Sequence, residues 1–478
     1  MKRSSLVLAI TASVVLGGCA AFAPPVDMPQ KTPPPLDAPL AWSAPAPPAT
    51  AQASLRDWWK QFDDPVLLAM IDAAQAASPN IAAASSRIEQ ARASSVAAGA
   101  LLLPAVNANA SGTAGRTDLA TPRLSFASVN LQASWELDLF GANQAGRDAA
   151  LARLQSAQAS LVDVRIAVAA ETAASYNALR GCEAVVVQTE ADARSRAETA
   201  RLTELAAKAG LSAPASAALA RASAAQGRSL LAGQQAQCEL LFKSLVALTA
   251  LDDAELRRQL APRQAQLPVP AGIAVQSVPA VALKQRPDLV VAERQIVAAA
   301  EDTAQSQAQR YPSVAIAGSV GPGWLRVNDI STTGTLWTIG PLQVSLPIFD
   351  GGTRVANVVA ARARYDEAVS VYRGLIRTAV REVESALITL DTSTRRIEDT
   401  KVSIEGFEAS LKAADARFRG GLGSLFDLED ARRSALLAQS TLIELQREQV
   451  AAWINLYRAL GGGWSPEQDL TAAATPTK

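Results

Sequence analysis

The sequence contains no histidine. That removes the usual general base of hydrolases and the commonest metal ligand together. Only three cysteines are present, a poor supply for a zinc site, so neither a metal nor another cofactor is expected. Neither charge is in excess, since 45 basic residues meet 45 acidic ones. Without a basic footprint, nucleic acid is not an expected partner. Aromatic side chains make up only 5%, while alanine is abundant, which favours helices packed closely through small side chains. No glycine-rich phosphate loop and no compact pocket-bearing domain can be read, so the chain is not expected to be an enzyme. Its 478 residues allow two or three ordinary domains or one large repeated assembly.

What is present begins with a targeting segment. Lys2 and Arg3 precede an apolar run from Leu6 to Leu16, too short to span a bilayer as a mature helix. The run ends in Leu16-Gly17-Gly18-Cys19, which looks like a lipobox, with residues 1–18 the lipoprotein signal peptide and Cys19 the acylated first residue. An ordinary secretory signal with a chance cysteine is the alternative. Ala20 stands where an inner-membrane retention signal would place Asp, so the outer membrane is the expected address, and acyl chains would tether the chain without spanning it. Residues 19–50 form a linker with ten prolines between Pro24 and Pro48, expected to run extended. Residues 465–478 read as a flexible tail.

The body is written twice. Ser78-Pro79-Asn80-Ile81 recurs as Arg286-Pro287-Asp288-Leu289, and Leu103-Pro104-Ala105-Val106 as Tyr311-Pro312-Ser313-Val314, both at an offset of 208. Leu139-Phe140 recurs as Ile348-Phe349, Ala209-Gly210-Leu211 as Gly420-Gly421-Leu422, and Ala247-Leu248 as Ala459-Leu460. The repeats are read as residues 51–265 and 266–464, each a helix, two strands, a very long helix, a turn and a long helix. No proline lies between Pro122 and Pro214 or between Pro347 and Pro466. Val369, Tyr372, Ile376, Val380, Val383, Leu387 and Leu390 keep coiled-coil spacing, and Leu442, Leu445, Trp453, Leu456 and Leu460 keep a similar register. Helical hairpins are predicted at about 143–250 and 353–460.

Strands are predicted at about 105–115, 125–138, 313–323 and 335–348. Val129, Leu131, Ala133, Trp135 and Leu137 alternate with Asn130, Gln132, Ser134, Glu136 and Asp138, placing one face in an apolar medium and the other in water. The last strand changes phase near Gly340-Pro341, as at a bulge. Outer loops are expected around Arg116 to Leu124 and Trp324 to Gly334. A soluble sheet with one face on a core is the alternative. The strand length suits a tilted bilayer span, however, and the helices, seamed to one another, are not free to cover a sheet. In lipid only a closed barrel satisfies every edge, and four strands cannot close one. Two copies would give eight strands with a filled interior; three would give twelve and a lumen. The expected fold class is therefore mainly α with membrane β: an internally duplicated coiled-coil tunnel plus four strands per chain, contributed to a trimeric 12-stranded barrel.

Motifs sharpen the reading. Trp58-Trp59-Lys60-Gln61-Phe62-Asp63-Asp64-Pro65, Arg286-Pro287-Asp288-Leu289 with Ala292-Glu293, Trp135-Glu136-Leu137-Asp138-Leu139-Phe140-Gly141 and Leu346-Pro347-Ile348-Phe349-Asp350-Gly351-Gly352 together resemble the outer membrane factors, the TolC-type efflux channels, in particular their NodT-like lipoprotein branch. The resemblance covers nearly the whole chain from Cys19 to Trp464. It implies a homotrimer with a helical tunnel across the periplasm, a periplasmic membrane-fusion adaptor, and an inner-membrane pump of the resistance-nodulation-division type or similar. It implies a passive duct for small molecules; a type I protein secretion channel is the runner-up, and a non-conducting coiled-coil envelope lipoprotein comes from a different class. Gly210, Leu211, Ser212, Gly421, Leu422, Gly423 and Ser424 match the family's adaptor-docking tips, although turn formation and capping account for the same residues. Asp427 and Asp430 match its aperture acids and Arg433 a lock arginine in some members, against a solvated helix face as the plain reading. Phe418 stands where many members have Tyr, and Gly423 where some have Arg, so a hydrogen-bonded latch of that kind is not carried over. Ala213 and Ser216 replace the polar and acidic residues expected, so the first turn should contribute less to gating. Cys182 and Cys238 lie 28 residues either side of Gly210 and would face each other across an antiparallel hairpin; a disulfide is expected there, with two unrelated thiols as the alternative.

Overall fold

In a computed structural model of the chain, residues 28–45, 55–116, 122–270 and 279–464 are described. The signal peptide, Cys19, the tail and the middle of the first outer loop lie outside the described residues. After a 3₁₀ turn at Leu55–Phe62, the first repeat contains α1 (Pro65–Ala77), α2 (Pro79–Ala100), β1 (Ala105–Gly115), β2 (Leu124–Leu137), α3 (Ala142–Lys208) and α4 (Pro214–Thr249). A short α5 (Asp253–Leu260) and a 3₁₀ turn at Ala261–Arg263 follow. The second repeat contains α6 (Pro279–Lys284), α7 (Pro287–Ala308), β3 (Ser313–Val327), β4 (Ile330–Ser345), α8 (Thr353–Arg419) and α9 (Leu425–Ala459), then a 3₁₀ turn at Gly461–Gly463.

The repeated motifs are helix starts. Pro79 and Pro287 occupy the first positions of α2 and α7, where the missing N–H costs nothing and the fixed φ fits the helix. Asp138 accepts from the backbone of Asn143 at 3.1 Å and Gln144 at 2.7 Å, opening α3. Asp350 does the same for α8 through Gly352 at 3.0 Å and Arg354 at 3.1 Å. The Arg354 backbone N–H above all, helped by the Gly352 N–H and the Arg354 guanidinium, holds the Asp350 carboxyl below the usual carboxylate range. Both α3 and α8 are 67 residues long, about 100 Å at roughly 1.5 Å per residue.

Two compact units emerge. The first comprises Met1–Pro35, Ser86–Gln158 and Val290–Arg373 and contains the sheet. Its strands lie in the order β1-β2-β3-β4, all antiparallel, with β1 and β4 as edges that have no further strand partner among the described residues. No residue of the four strands is buried on either face. On one face lie Val106, Val129, Leu131, Val320, Leu342 and Val344, as the cross-strand register requires. The phase change near Gly340-Pro341 is a bulge, because the pairing shifts between Ile316 and Gly318, opposite these two residues. It lets Ile339 and Trp337, one step out of phase with Leu342, reach the same apolar face.

The second hairpin departs from expectation. The region from Trp324 to Gly334 is not an outer loop: β3 and β4 continue through it, with Trp324 opposite Thr333 and Val327 opposite Ile330. The chain reverses in only two residues, Asn328-Asp329, with Asn328 left-handed at φ 52°. Threonines 332, 333 and 335 favour strand, and Asn tolerates that conformation. At the other end β4 stops at Ser345 rather than 348, just before Pro347, which has no N–H to donate.

The second unit comprises Leu36–Ser85, Ala159–Leu289 and Gly374–Lys478. Trp58 is fully buried between Trp453, at 6.1 Å between rings, and Tyr457, at 5.7 Å. Buried Asp64 caps α1 through the N–H groups of Val66 and Leu67 and accepts from the Tyr176 hydroxyl at 2.8 Å. Along α8 the heptad residues Ile376, Val383, Leu387 and Leu390 are buried, and Val383, Leu387 and Leu390 share one core cluster with Trp453, Leu456 and Leu460. Arg286 is 6% exposed. It donates to Asp288 at 2.7 and 3.0 Å and to the Ala459 carbonyl at 2.9 Å, and pairs with Glu382 at 2.9 Å. Gly461, at φ +74°, lets the end of the chain approach this arginine; a Cβ there would stand 2.3 Å from the Gln285 carbonyl oxygen. Arg286→Ala leaves the partly exposed Asp288 and Glu382 without their cation and the Ala459 carbonyl without its donor, and is expected to cost about 1–3 kcal/mol, read as a lower urea midpoint for the purified protein in detergent.

Candidate functional site at the hairpin turns

The two hairpin turns are built alike. In the first, Gly210 is left-handed at φ +75°. The Leu211 N–H reaches the Ala206 carbonyl at 2.8 Å and the Gly210 N–H the Ala207 carbonyl at 3.1 Å. In the second, Gly421 is at φ +72°, with Leu422 bonded to Arg417 at 2.8 Å and Gly421 to Phe418 at 3.1 Å. This paired pattern closes the free carbonyls of a helix end, and glycine adopts it without the clash a Cβ brings.

The helices that follow begin differently. Ser424 and Asp427 form a full capping box, each side chain bonded to the other's backbone N–H, as the Ser-x-x-acid spacing suggests. Ala213 has no side chain to cap α4, which starts instead on Pro214. Ser212 and Gly423 complete the turns; a Cβ on Gly423 would crowd the Phe418 backbone nitrogen at 3.2 Å. Leu211 and Leu422 project with 83% and 79% exposure, which in an isolated chain leaves apolar surface in water at both tips.

The residues expected at the aperture divide. Asp427 is exposed at the cap, and Asp430 is exposed and paired with Arg433 on the same helix. Phe418 is not at the surface with them: it packs half-buried against Ala200, Ala220, Ala224 and Leu425. One residue away from the exposed acid and arginine, Glu429 and Arg432 point inward. Arg432 is 5% exposed, pairs with Glu429, and donates to Ser195 and Thr199 of α3 at 3.1 Å each. Glu429 also accepts from Arg196 at 2.9 Å and from Ser223 at 2.8 Å, while Arg196 holds Asp192 at 2.6 Å. Two acids and two arginines thus tie α3, α4 and α9 together beside a groove of 920 Å³. Sequence reasoning missed this network. Its signal was Leu425, Leu428, Arg432 and Ala435, spaced 3, 4, 3 and all buried, which puts an arginine in a seam position.

Cys182 and Cys238 are joined in a disulfide, with Cα atoms 5.6 Å apart. Among the described residues no group of three or more acidic or cysteine side chains could hold a metal ion.

An uncovered sheet with two open edges, and helical hairpins tipped with exposed leucines, define a subunit that becomes complete only in an assembly. The chain belongs to the outer membrane efflux protein family, whose model matches residues 70–251 and 278–462, one span per repeat. It is 31% identical to outer membrane protein OprJ of Pseudomonas aeruginosa, over 98% of this chain and 97% of that one. It is 28% identical to nodulation protein T of Rhizobium leguminosarum bv. viciae, over 93% of each. Its fold is that of the outer-membrane channel OprN, with a TM-score of 0.81 at 26% identity, covering 93% of this chain and 99% of that one.

Replacing Cys182 and Cys238 by serine opens a loop of 56 residues, and a loss of about 4 kcal/mol is expected. Peptide mapping without reductant should recover the two cysteines linked, and the double variant should be cut faster by protease within α3 and α4.

Proposed function

We propose that this chain is one third of a passive exit duct in the bacterial outer membrane, the last component of a tripartite efflux system for small molecules. The observation that carries this reading is a four-stranded sheet with no buried residue on either face. One of its faces suits hydrocarbon and the other water, and both edges demand partners. Three copies supply twelve strands, the smallest multiple here that leaves a lumen.

Cys19, acylated after signal cleavage, anchors the chain in outer-membrane lipid, and the helical part stands in the periplasm. The turns at Gly210, Leu211 and Ser212 and at Gly421, Leu422, Gly423 and Ser424 are the docking tips for a periplasmic adaptor that links the duct to an inner-membrane pump. Leucines exposed at both tips suit an apolar contact with that partner. Threefold repetition makes Asp427 a ring of like charges beside three Asp430–Arg433 pairs, favouring cations. Phe418 supports this aperture from behind, by packing, rather than lining it. Chemistry at the aperture is not required: the work is done by the pump, and the duct contributes a wall.

Purified protein reconstituted in a planar bilayer is expected to give discrete, cation-preferring conductance. Asp427→Asn, which keeps a hydrogen-bond acceptor for the Ser424 backbone, should weaken that preference. Absence of any channel from a stable, monomeric preparation would reject the duct. In cells lacking the native channel, Leu211→Asp with Leu422→Asp should abolish export while leaving outer-membrane levels unchanged, and Cys19→Ser should lose incorporated palmitate.

A further inference from the structure

The water-suited face of the sheet does not stay polar along its length. Over most of it run Asn107, Asn109, Gln132, Ser134, Ser319 and Thr338, tied by bonds such as Asn109 to Gln132 at 3.3 Å and Ser319 to Thr338 at 2.9 Å. Ser111 and Ser128 follow, 3.0 Å apart. Beyond Ser128, toward the Asn328 turn, the same face carries Leu124, Phe126, Leu325, Val327 and Ile330, with Thr113 and Thr332 among them, and Leu336, opposite Gly321 one pair short of Ser128, adjoins them. The register sets them side by side: Phe126 opposite Leu325, Leu124 opposite Val327, and Val327 opposite Ile330. Phe126 and Leu336 converge over Gly323, where an added Cβ would lie 2.5 Å from Leu336 Cδ1 and 3.8 Å from the Phe126 ring. Glycine leaves them that space.

The other face changes in the opposite sense at the same level. Val129, Leu131, Val320, Trp337 and Ile339 give way to Ser125, Arg326, Ser331, Thr333 and Thr335, with Trp324 the one large apolar side chain left among them. A strand in hydrocarbon turns its apolar side chains outward; a strand in water turns them inward, away from solvent. The double inversion therefore marks where the sheet leaves the bilayer and begins to bury its side chains toward the barrel axis.

We infer that these six residues, three times repeated, form an apolar collar across the outer mouth of the duct. The inference rests on the channel reading above and adds a selectivity to it. A narrow ring of Leu, Ile, Val and Phe is poorly wetted, so hydrated ions and polar solutes cross slowly. Apolar and amphipathic small molecules, which leave water willingly, cross with less hindrance. The collar thus lets such cargo out while barring polar solutes from entering.

The test places a thiol beneath the collar. Gln132→Cys, on the polar face, is exposed in intact cells to a charged, membrane-impermeant maleimide, with the parent chain measuring background. Labelling is expected to be slow, to rise about tenfold or more when Phe126→Ser and Leu336→Ser are added, and to stay slow with Phe126→Leu. Leu325→Thr, a strand-compatible change, should raise it by a smaller factor and serves where the double variant does not assemble. Equal rates with and without these changes, in proteins that still migrate as heat-dissociable trimers, would overturn the collar and leave the channel standing. Leu131→Cys reacting with the charged reagent while Gln132→Cys does not would mean that the faces are reversed, and would overturn both.

Discussion

Backbone hydrogen bonding at the two free edges of the sheet is the constraint on which the architecture depends. Strands β1 and β4 each present a row of N–H and C=O groups with no strand partner among the described residues. In water this would be an aggregation hazard; in hydrocarbon each unpaired group costs several kcal/mol. The relief is the same in both cases, the edge of another copy. Side chains on the sheet agree with the backbone, since none of them is buried within one chain. Packing for this region is intermolecular, and the core that one chain does own lies elsewhere, around Trp58, Trp453 and Tyr457.

Most of the fold was legible because its periods are long and pure. A long heptad pattern without proline reads as helix, and α8 and α9 occupy Thr353–Arg419 and Leu425–Ala459 where a helical hairpin was expected at about 353–460. Strand β1 could be read because alternation is clean between Val106 and Ala110. The second strand pair was harder. Gly, Pro and Asn around 321–334 resemble a loop, yet pairing across the sheet carries them into strands down to a two-residue turn. The bulge was visible as a phase error at Gly340-Pro341, because a hydrophobic face that breaks off and resumes one step later needs an extra residue in its strand.

The turn site was legible in its backbone and less so in its side chains. Gly421 and Ser424 announce a helix end and a cap by residue type alone. The acids and arginines from Asp427 to Arg433 are a mixed run, and sequence does not say which of two adjacent residues faces inward. One step along a helix turns a side chain by about 100°, so Asp430 and Arg433 lie in solvent while Glu429 and Arg432 are sunk among α3 and α4. Reading the seam onward from Leu425 and Leu428 locates the inward pair. Charge at a seam position is costly unless balanced, and Asp192 and Arg196 supply the balance.

The disulfide gives the two halves of the duplication unequal mechanical character. Cys182 and Cys238 close the first hairpin well back from its turn, whereas the second repeat has no cysteine at all; at the corresponding places it has Ser393 and Val450, both buried. Splaying of the first pair of helices from the tip can travel only as far as a covalent stop. In the second pair only non-covalent contacts resist it, packing together with polar links such as Arg396 to Glu448 at 3.3 Å and Gln439 to Glu408 at 2.7 Å. A pull applied equally at both tips would therefore bend one arm and unzip the other.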